Sequence, residues 1–463
     1  MLEEGGVFSK TPRVLIAGTG SGCGKTTFTC ALMAALTRRG LTVQGFKCGP
    51  DYIDPMFHTR VTGRDSRNLD PFLLPEPTLR RLLRKNAQNA DCSIIEGVMG
   101  FYDGQGQGTE GSSYEIAAVT KTPVLLVLNA RGASASLAAA AKGFTGFRPY
   151  NGIVGFLLNG ADERRLAALK PMLEGETGLQ VLGCLPHMEG CSLESRHLGL
   201  VTAQEVTDLE AKVERLAAQA ECTVDLERLL AVAASASPLP EESFSAPLPR
   251  SDPFQLAVAR DEAFCFYYRD ALDLLEEAGA RLVFFSPLRD AAPPEEADGL
   301  YLGGGYPELH AARLSSNASM LESIRRLVTE GLPTFAECGG FMFLCTSLRA
   351  NDELFKMSGA LEGETFVTSK LVRFGYAELA ARRAGLLTPE GWTGRGHEFH
   401  YSDGTNNGDG FTISKPNGPN WLGIHATPTL HAGYPHLHLC TDPQLALNFA
   451  RACLKYQKGK KEN

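Results

Sequence analysis

A glycine-rich stretch near the start of the chain, residues 18–27, limits the possible folds more than any other feature. It reads GTGSGCGKTT, follows the apolar run 14–17 and opens a helical pattern that continues to Arg39. A strand, a glycine turn and a helix start in this order place backbone N–H groups and a helix dipole around an anion. The stretch therefore predicts a phosphate-binding loop between the first strand and the first helix.

The polar residues of this loop each suit one task at a phosphate. Lys25 can neutralise phosphate oxygens, and the hydroxyl of Thr26 is a suitable ligand for Mg²⁺. A standard loop has glycine at the position that Thr19 occupies here, so this loop is a lengthened variant. The sequence predicts a nucleoside triphosphate site whose contacts are Gly18, Gly22, Gly24, Lys25, Thr26 and Thr27.

Composition narrows the class of protein. The chain has 463 residues, 43% of them hydrophobic and 21% charged, which suits a globular protein of more than one domain. A net charge of -8 without a basic tract argues against nucleic acid or a membrane surface as partner. The 12 cysteines form no CxxC pair, as expected for reduced thiols. Without a signal-peptide pattern or a long apolar run, we expect a cytoplasmic protein with no membrane span.

Strand-like and helix-like patterns alternate along the first half of the chain. Apolar strand candidates lie at residues 14–17, 43–46, 93–95, 123–128, 153–158 and 181–184. Helical patterns lie at residues 78–89, 134–144, 163–173, 204–219 and 225–233. Because crossover helices cover parallel sheets, this alternation predicts a parallel sheet with helices on both faces.

A stretch rich in Ser and Pro, residues 235–253, then interrupts the pattern as linkers do. Beyond it, strand candidates lie at residues 254–259, 281–285, 300–302 and 333–336, with helical patterns at 270–278 and 320–330. Short strand-like runs dominate residues 364–438. We therefore predict an α/β protein of two domains, residues 1–234 and 254–455, joined by that linker.

Charged residues end two strand candidates of the first domain. Lys47 ends the second strand, and Glu96 ends a later one. Parallel strands end at one edge of a sheet, so both side chains are expected beside the phosphate loop, where Glu96 suits a Mg²⁺ contact. Residues 48–55 add rigid turn residues and acids, with His58 and nearby arginines after them. This mixture suits an anionic, polyfunctional ligand and equally suits a plain surface loop.

In the second domain, Cys338 lies between a β-like run and a helix-like run, with glycines directly after it. Such an elbow exposes a nucleophile and directs helix-start N–H groups at an oxyanion. The glycine turn 303–305 can supply another oxyanion donor, and His436 is a downstream base. Together these features favour a nucleophilic cysteine over a packed thiol.

On these residues the second domain resembles the class I glutamine amidotransferases. The resemblance implies that Cys338 attacks the side-chain amide of glutamine and that His436 is the base. The implied oxyanion and glutamine contacts are Gly304, Gly305 and Gly339. Many members carry Glu two positions after this His, where the chain has His438. The third member of the triad therefore stays open, with His438 as one candidate.

The first domain resembles the dethiobiotin synthetase-like ATP-dependent ligases, which share the lengthened loop. The resemblance implies that Lys47 supports phosphoryl transfer and that Asp70 and Glu96 help Thr26 to hold Mg²⁺. It also implies that Asn159, at the end of a later strand, lies near the adenine.

Three further stretches, residues 49–55, 96–104 and 396–402, resemble the cobyrinic acid a,c-diamide synthase family. The resemblance implies ATP-dependent amidation of the a and c carboxylates of a corrin ring through an acyl phosphate, with glutamine as nitrogen donor. Its implied substrate contacts are Asp51, Tyr52 and Asp54. The alternatives are nickel-sirohydrochlorin a,c-diamide synthase and cobyric acid synthase, and, more distantly, a regulatory ATPase of the partitioning type.

The expected partners are therefore small molecules. ATP and Mg²⁺ are the expected cofactors, and glutamine and a corrin polycarboxylate are the expected substrates. Neither nucleic acid nor a membrane is expected to bind, and a homodimer stays open as the assembly.

Overall fold

A computed structural model describes residues 11–191, 195–196, 199–200, 208–240, 252–416 and 418–462. The chain divides into two units, Met1–Ser243 and Phe244–Asn463. The predicted linker 235–253 falls partly on residues 241–251, which lie outside the described residues. The domain boundaries taken from the sequence therefore stay predictions.

The first unit is built on a parallel sheet of seven strands in the order β3-β2-β4-β1-β5-β6-β7. These strands are β1 (Arg13–Gly18), β2 (Val43–Cys48), β3 (Arg67–Leu69), β4 (Cys92–Glu96), β5 (Val124–Asn129), β6 (Ile153–Asn159) and β7 (Gln180–Leu185). A separate antiparallel pair is formed by β8 (Ser195–Arg196) and β9 (Gly199–Leu200). Because helices cover both faces, the central strands are almost continuous apolar runs, and residues such as Leu15 and Leu126 are fully buried.

Eight helices accompany these strands in the described part of this unit. They are α1 (Lys25–Arg38), α2 (Ile53–Thr62), α3 (Glu76–Asn86), α4 (Ser113–Thr120), α5 (Ala135–Phe147), α6 (Glu163–Thr177), α7 (Leu209–Thr223) and α8 (Leu226–Ala234). Phe28 and Leu32 of α1 share one apolar cluster with Leu216 of α7 and Leu229 of α8. This packing fixes α1, and with it the loop before it, against the sheet.

Five elements in the described part of this unit, α2, β3, α4, β8 and β9, were not predicted from the sequence. Pro55 suggested a turn, but proline fits the first turn of a helix, where its missing N–H loses no bond. The Oδ1 atom of Asp51 accepts hydrogen bonds from the N–H groups of Ile53 (2.8 Å) and Asp54 (3.1 Å) and so caps α2. Of the helix predicted at 204–219, residues 204–207 lie outside the described residues.

The second unit contains two sheets. One has the order β11-β10-β12-β13-β21-β20 and is parallel except for its last pair. Its strands are β10 (Phe254–Ala259), β11 (Ala280–Phe285), β12 (Gly299–Leu302), β13 (Thr334–Glu337), β20 (His425–Thr427) and β21 (Leu430–Gly433). The helices are α9 (Arg269–Glu277), α10 (Ala311–Ser316), α11 (Ala318–Thr329), α12 (Gly339–Leu344) and α13 (Gln444–Glu462). Both units confirm the predicted two-domain α/β class.

The other sheet of the second unit is mostly antiparallel and contains long strands where the sequence predicted short ones. Its strands are β14 (Ser347–Ala350), β15 (Glu353–Lys356), β16 (Glu364–Ala381), β17 (Thr393–Gly404), β18 (Phe411–Ser414), β19 (Asn420–Gly423) and β22 (His436–Leu437). The pairing of β16 with β17 shifts register between Val367 and Gly375. Such irregularities hide the alternation of a strand in the sequence and redirect side chains, here that of Arg373 with a φ of 51°.

Arg13 is expected to be a stabilising residue of the first unit. Its buried guanidinium donates to the carbonyl oxygens of Thr120 (2.6 Å) and Ser237 (2.6 Å). Arg13→Met leaves the buried carbonyl oxygen of Thr120 without this donor and removes the bond to Ser237, so we expect the free energy of unfolding to fall by about 2–4 kcal/mol. The matched change Arg38→Met removes ion pairs of an exposed arginine with Glu214 and Glu221, so we expect a loss below about 1 kcal/mol.

Calorimetric unfolding of both variants tests this prediction. Both tryptophans, Trp392 and Trp421, lie in the second unit, so tryptophan fluorescence separates its transition from that of the first unit. Equal losses of stability in the two variants would contradict a structural role for the Arg13 hydrogen bonds.

Candidate active sites

The glycine-rich loop of the first unit connects β1 to α1 and has a backbone that only glycine adopts readily. Gly22 and Gly24 have φ values of 72° and 97°. A Cβ on Gly24 would lie 2.2 Å from the side-chain nitrogen of Asn159, so the side chain of Asn159 packs directly against the backbone of Gly24. Asn159 also donates to the carbonyl oxygen of Cys23 at 2.9 Å, which ties the end of β6 to the loop. The predicted nucleotide contacts therefore meet at one edge of the sheet.

The loop lysine lies over the loop itself. The Nζ atom of Lys25 donates to the carbonyl oxygen of Gly20 at 2.9 Å, and burial lowers its pKa. Thr27 follows Thr26 in the first turn of α1. Gly18 ends β1, and a Cβ there would lie 2.2 Å from the Sγ atom of Cys23. This backbone leaves no room for a side chain at position 18.

The carboxylate of Glu96 is the meeting point of the polar groups at this edge. Its Oε1 atom accepts from the hydroxyl of Thr26 at 2.6 Å and from Nζ of Lys47 at 3.0 Å. Its Oε2 atom bonds Nε2 of His58 at 2.7 Å. Glu96 and His58 are both fully buried. The sequence did not reveal the contact to His58, because the two residues are far apart in the chain and His58 lies on the unpredicted helix α2.

Opposite charges hold this cluster together. Burial alone lowers the pKa of Lys47, but the carboxylates of Asp54 and Glu96 outweigh it and keep the pKa well above its ordinary value. Burial raises the pKa of Glu96, and the Lys47 ammonium and the His58 hydrogen bond bring it below its ordinary value. Lys47 is therefore a cation fixed beside the loop.

The residues predicted to contact substrate lie near the same lysine. Asp54 is buried and pairs with Nζ of Lys47. Asp51 lies 3.9 Å from that nitrogen and is partly exposed. Tyr52 directly precedes α2 and is partly exposed. The carboxylate of Asp54 thus faces Lys47, and the substrate contacts of all three residues stay predictions.

The oxygen ligands at this edge suit Mg²⁺. The hydroxyl of Thr26 and the carboxylate of Glu96 are hard donors, 2.6 Å apart. Asp70 follows β3 and uses Oδ1 to accept from the N–H groups of Phe72 and Leu73. Among the described residues no group of three or more His, Cys, Asp or Glu is placed to hold a metal. A Mg²⁺ ion at Thr26 and Glu96 would therefore need phosphate oxygens and water as its other ligands.

In the second unit, Cys338 forms the predicted elbow between β13 and α12. Its φ of 47° and ψ of -104° are unusual for a residue with a side chain. The N–H of Cys338 donates to the carbonyl oxygen of Gly433 at 2.8 Å, and Gly340 donates to Gly303 at 3.0 Å. A Cβ on Gly340 would lie 2.1 Å from the carbonyl oxygen of Leu302, so only glycine allows this helix to begin so close to β12. The surrounding backbone holds the thiol in a strained conformation.

The glycine turn and the downstream His both lie next to the elbow. A Cβ on Gly339 would lie 3.1 Å from the backbone nitrogen of Gly305, and a Cβ on Gly304 would lie 2.5 Å from Cε1 of His436. The structure thus brings the predicted oxyanion residues and the predicted base to one place. Burial lowers the pKa of His436 to about 3 and raises that of the Cys338 thiol. A neutral His and a protonated thiol are the starting state for general-base catalysis.

The position of the missing triad glutamate is occupied by His438, which does not bond His436. The ring of His438 stacks on Tyr268 with centroids 4.5 Å apart, and neither ring nitrogen has a hydrogen-bond partner in the described part of the chain. Instead, the backbone of this segment is held by Glu337, whose Oε1 atom accepts from the N–H of Leu437 at 2.7 Å. His438 therefore does not orient His436 by a hydrogen bond.

His397 and Glu337 are site residues that the sequence did not single out individually. The ring of His397 stacks on that of His436 with centroids 4.9 Å apart, and the two residues pair across β17 and β22. His397 belongs to the family-like stretch 396–402, which was the only signal that could have found it. Glu337 directly precedes Cys338, but nothing in its sequence context indicates that it bonds residue 437.

Comparison with known proteins matches both units. A family described as the CobQ/CobB/MinD/ParA nucleotide binding domain matches residues 14–201, and the CobB/CobQ-like glutamine amidotransferase domain matches residues 255–444. The fold and the sites thus define a nucleotide-binding domain and a glutamine amidotransferase domain in one chain, the arrangement of a glutamine-hydrolysing ligase.

Relatives over the whole chain identify the family. A cobyrinate a,c-diamide synthase of Priestia megaterium is 39% identical over 97% of this chain and 99% of its own length. A protein of the same name from Thermoplasma volcanium is 38% identical over 97% of this chain and 99% of its own length. Another from Listeria monocytogenes is 42% identical over 92% of this chain and 96% of its own length. The chain belongs to the cobyrinate a,c-diamide synthase family, which confirms the resemblance drawn from the sequence. Among its described helices none is long and apolar enough to cross a membrane.

The buried histidines of the second unit predict that its stability falls in acid. Burial lowers the pKa of His431, His436 and His438 to about 3 each, against about 6.5 in an unfolded chain. Below pH 6.5 the unfolded chain binds protons that the folded unit does not, so the free energy of unfolding falls as the pH drops toward 3.

The variant His431→Phe measures one such contribution away from the elbow. As the pH falls from 6 to 4, we expect the free energy of unfolding of the unsubstituted chain to drop by about 1.4 kcal/mol more per pH unit than that of His431→Phe. Thermal unfolding followed by tryptophan fluorescence at several pH values gives this slope. Identical slopes for the two proteins would show that His431 does not stay neutral in the folded unit.

Proposed function

We propose that the chain converts the a and c carboxylates of a corrin-type polycarboxylate, cobyrinic acid, to amides, using ATP and glutamine, in cobalamin biosynthesis. The observation that carries the proposal is the presence of both halves of this chemistry on one chain: the Lys47–Glu96 cluster at a phosphate loop and the Cys338 elbow at a neutral His. Relatives named for this reaction at 37–42% identity support the substrate.

The first unit would activate the carboxylate. A carboxylate resists attack by ammonia, whereas an acyl phosphate, formed when a carboxylate oxygen takes the γ-phosphoryl of ATP, has phosphate as leaving group. Lys25, Lys47 and the loop N–H groups would neutralise the charge that spreads over the transferred phosphoryl. A Mg²⁺ ion held by Thr26 and Glu96, with Asp70 as a further predicted ligand, would supply additional positive charge. Asn159 would lie near the adenine.

The second unit would release ammonia. His436 takes the proton of the Cys338 thiol while sulfur attacks the side-chain carbonyl carbon of glutamine, and N–H groups near Gly304, Gly305 and Gly339 stabilise the oxyanion. His436 then gives the proton to the departing nitrogen, which leaves a thioester. Water attacks the thioester, which restores the thiol and yields glutamate. His436 acts here first as base and then as acid.

Mass spectrometry of the product tests the choice of macrocycle. With ATP, Mg²⁺ and glutamine, we expect cobyrinic acid to gain two amide groups, and nickel-sirohydrochlorin to be converted at less than about one tenth of that rate. Preferential conversion of nickel-sirohydrochlorin would favour the alternative a,c-diamide synthase. Amidation of side chains other than a and c would favour a cobyric acid synthase.

A pair of variants tests the division of labour between the units. Ammonia added from solution bypasses Cys338 but still needs an activated carboxylate. We therefore expect Cys338→Ala to abolish glutamine-driven amidation and to keep ammonium-driven amidation at alkaline pH within about twofold. We expect Lys25→Ala, which removes charge from the phosphoryl site, to lower both activities at least a hundredfold, by about 2.7 kcal/mol in barrier.

Cys222→Ala, a change at an exposed cysteine far from the elbow in sequence, is the matched control and should keep both activities. If Cys338→Ala kept glutamine-driven activity, another cysteine would have to be the nucleophile. If Lys25→Ala kept ammonium-driven activity, the phosphate loop would not serve amidation.

A further inference from the structure

The two carboxylate oxygens of Glu96 face different neighbours. Its Oε1 atom accepts from the hydroxyl of Thr26 at 2.6 Å and from Nζ of Lys47 at 3.0 Å. Its Oε2 atom bonds Nε2 of His58 at 2.7 Å. Thr26 belongs to the first turn of α1, directly after the phosphate loop, and His58 belongs to α2. Oε1 therefore faces the proposed nucleotide site, whereas Oε2 faces a helix.

The ring of His58 is held from both sides. Its Nδ1 atom lies 3.2 Å from Oγ of Ser66, and the N–H of Ser66 donates to Oγ1 of Thr59 at 2.9 Å. The backbone of β2 passes directly beside this residue, because a Cβ on Gly45 would lie 3.0 Å from Cβ of His58. A fully buried ring that is bonded at both nitrogens and packed against a strand has little freedom to rotate. The bond to Oε2 of Glu96 is therefore fixed in direction.

The ring nitrogen is the donor in this bond. The ammonium of Lys47 beside Oε1 favours the ionised carboxylate of Glu96, and an ionised carboxylate can only accept hydrogen bonds. Nε2 of His58 therefore carries the hydrogen and donates it to Oε2. If Oε2 turned to a metal ion, this buried N–H would lose its charged acceptor and the desolvation of the N–H would be uncompensated.

Magnesium and calcium make different demands on a carboxylate. Mg²⁺ takes six ligands in octahedral geometry at about 2.0–2.1 Å, and one oxygen of a carboxylate satisfies it. Ca²⁺ takes six to eight ligands at about 2.3–2.6 Å and often binds both oxygens of one carboxylate. A glutamate that offers only Oε1 suits the first ion and withholds a ligand from the second.

We propose that His58 restricts Glu96 to metal ligation through Oε1 and thereby makes the nucleotide site prefer Mg²⁺ to Ca²⁺. His58 is a positioning residue in this role, because it acts through Glu96. The inference rests on the proposed ATP site of the first unit and adds the cause of its metal preference. It also accounts for a histidine of α2 that is fully buried against the carboxylate beside the phosphate loop.

Equilibrium binding of the β,γ-imido analogue of ATP to the full chain tests the proposal. Titration calorimetry gives the Kd of the analogue with either Mg²⁺ or Ca²⁺ in excess. For the unsubstituted chain we expect a Kd at least about tenfold lower with Mg²⁺ than with Ca²⁺. Equal Kd values would overturn the proposal before any variant is made. Absence of binding with both metals would instead contradict the ATP site of the proposed function.

Two amide variants at position 58 separate the two bonds of the ring. The amide of His58→Asn reaches the place of Nδ1 beside Ser66 but is too short to reach Oε2, whereas His58→Gln places an amide N–H near the position of Nε2. We expect His58→Asn to bring the two Kd values within about threefold of each other, mainly through tighter binding with Ca²⁺. We expect His58→Gln to keep the preference of the unsubstituted chain within about twofold. An unchanged preference in a folded His58→Asn variant would overturn the proposal.

Two further variants keep the test independent of the stability of His58→Asn. Ser66→Ala leaves His58 bonded at one nitrogen only, so we expect the preference for Mg²⁺ to fall by at least about threefold. An unchanged preference in Ser66→Ala would contradict the fixed ring. Phe57→Leu, at the neighbouring fully buried position of α2, is the matched control and should lower stability without changing the preference.

Calorimetric unfolding of each variant completes the comparison. If the preference fell in Phe57→Leu as much as in His58→Asn, loosening of α2 would be its cause and the assignment to His58 would be wrong. If His58→Asn and Ser66→Ala lost only stability and kept the preference, His58 would serve the fold alone.

Discussion

The hydrogen bonds and ion pair around Glu96 organise the first unit and depend on the register of its sheet. Glu96 lies opposite Ile16 on one side and Lys47 on the other, so three strands end together at the phosphate loop. Because a buried carboxylate is costly unless it is paired, Glu96 needs both Lys47 and His58. A shift of register by one residue would separate these partners and leave buried charges unpaired. The strand register that packs the sheet is therefore also the register that brings the charged groups at its edge together.

In the second unit, close contacts between backbone segments, and not ion pairs, hold Cys338 in place. Cys338 is held in strained backbone geometry because close contacts between Gly340 and Leu302, and between Gly339 and Gly305, leave the chain no alternative path. Glu337 also accepts a hydrogen bond from the N–H of Leu437, which connects the residue before Cys338 with the residue after His436. Glycine at these positions therefore has a steric cause, namely the approach of two backbones at the elbow.

Much of the fold could be predicted because its signals are local. About ten consecutive residues are enough to recognise each of three features: the apolar runs of the parallel strands, the loop before Lys25 and the elbow at Cys338. Helix α2 was missed because its cap, Asp51, and its Pro55 give the same sequence signal as a turn. The contact of His58 with Glu96 was not predictable, since it joins distant segments, and the sequence predicts only short runs in place of β16 because its irregular pairing breaks the alternation.

The two units solve opposite electrostatic problems. The proposed phosphoryl transfer would concentrate negative charge, and the first unit has a fixed cation there, because the carboxylates around Lys47 keep its pKa high. The proposed amide cleavage by a thiol would instead need a proton acceptor, and burial keeps the ring of His436 neutral before any proton transfer. A cation beside Cys338 would favour the thiolate but would also keep His436 from accepting its proton. Burial of His436 also disfavours the imidazolium that proton transfer would create, and His438 offers it no hydrogen bond, so the proposed base would need a nearby negative charge, such as the developing oxyanion, to stabilise its charged form.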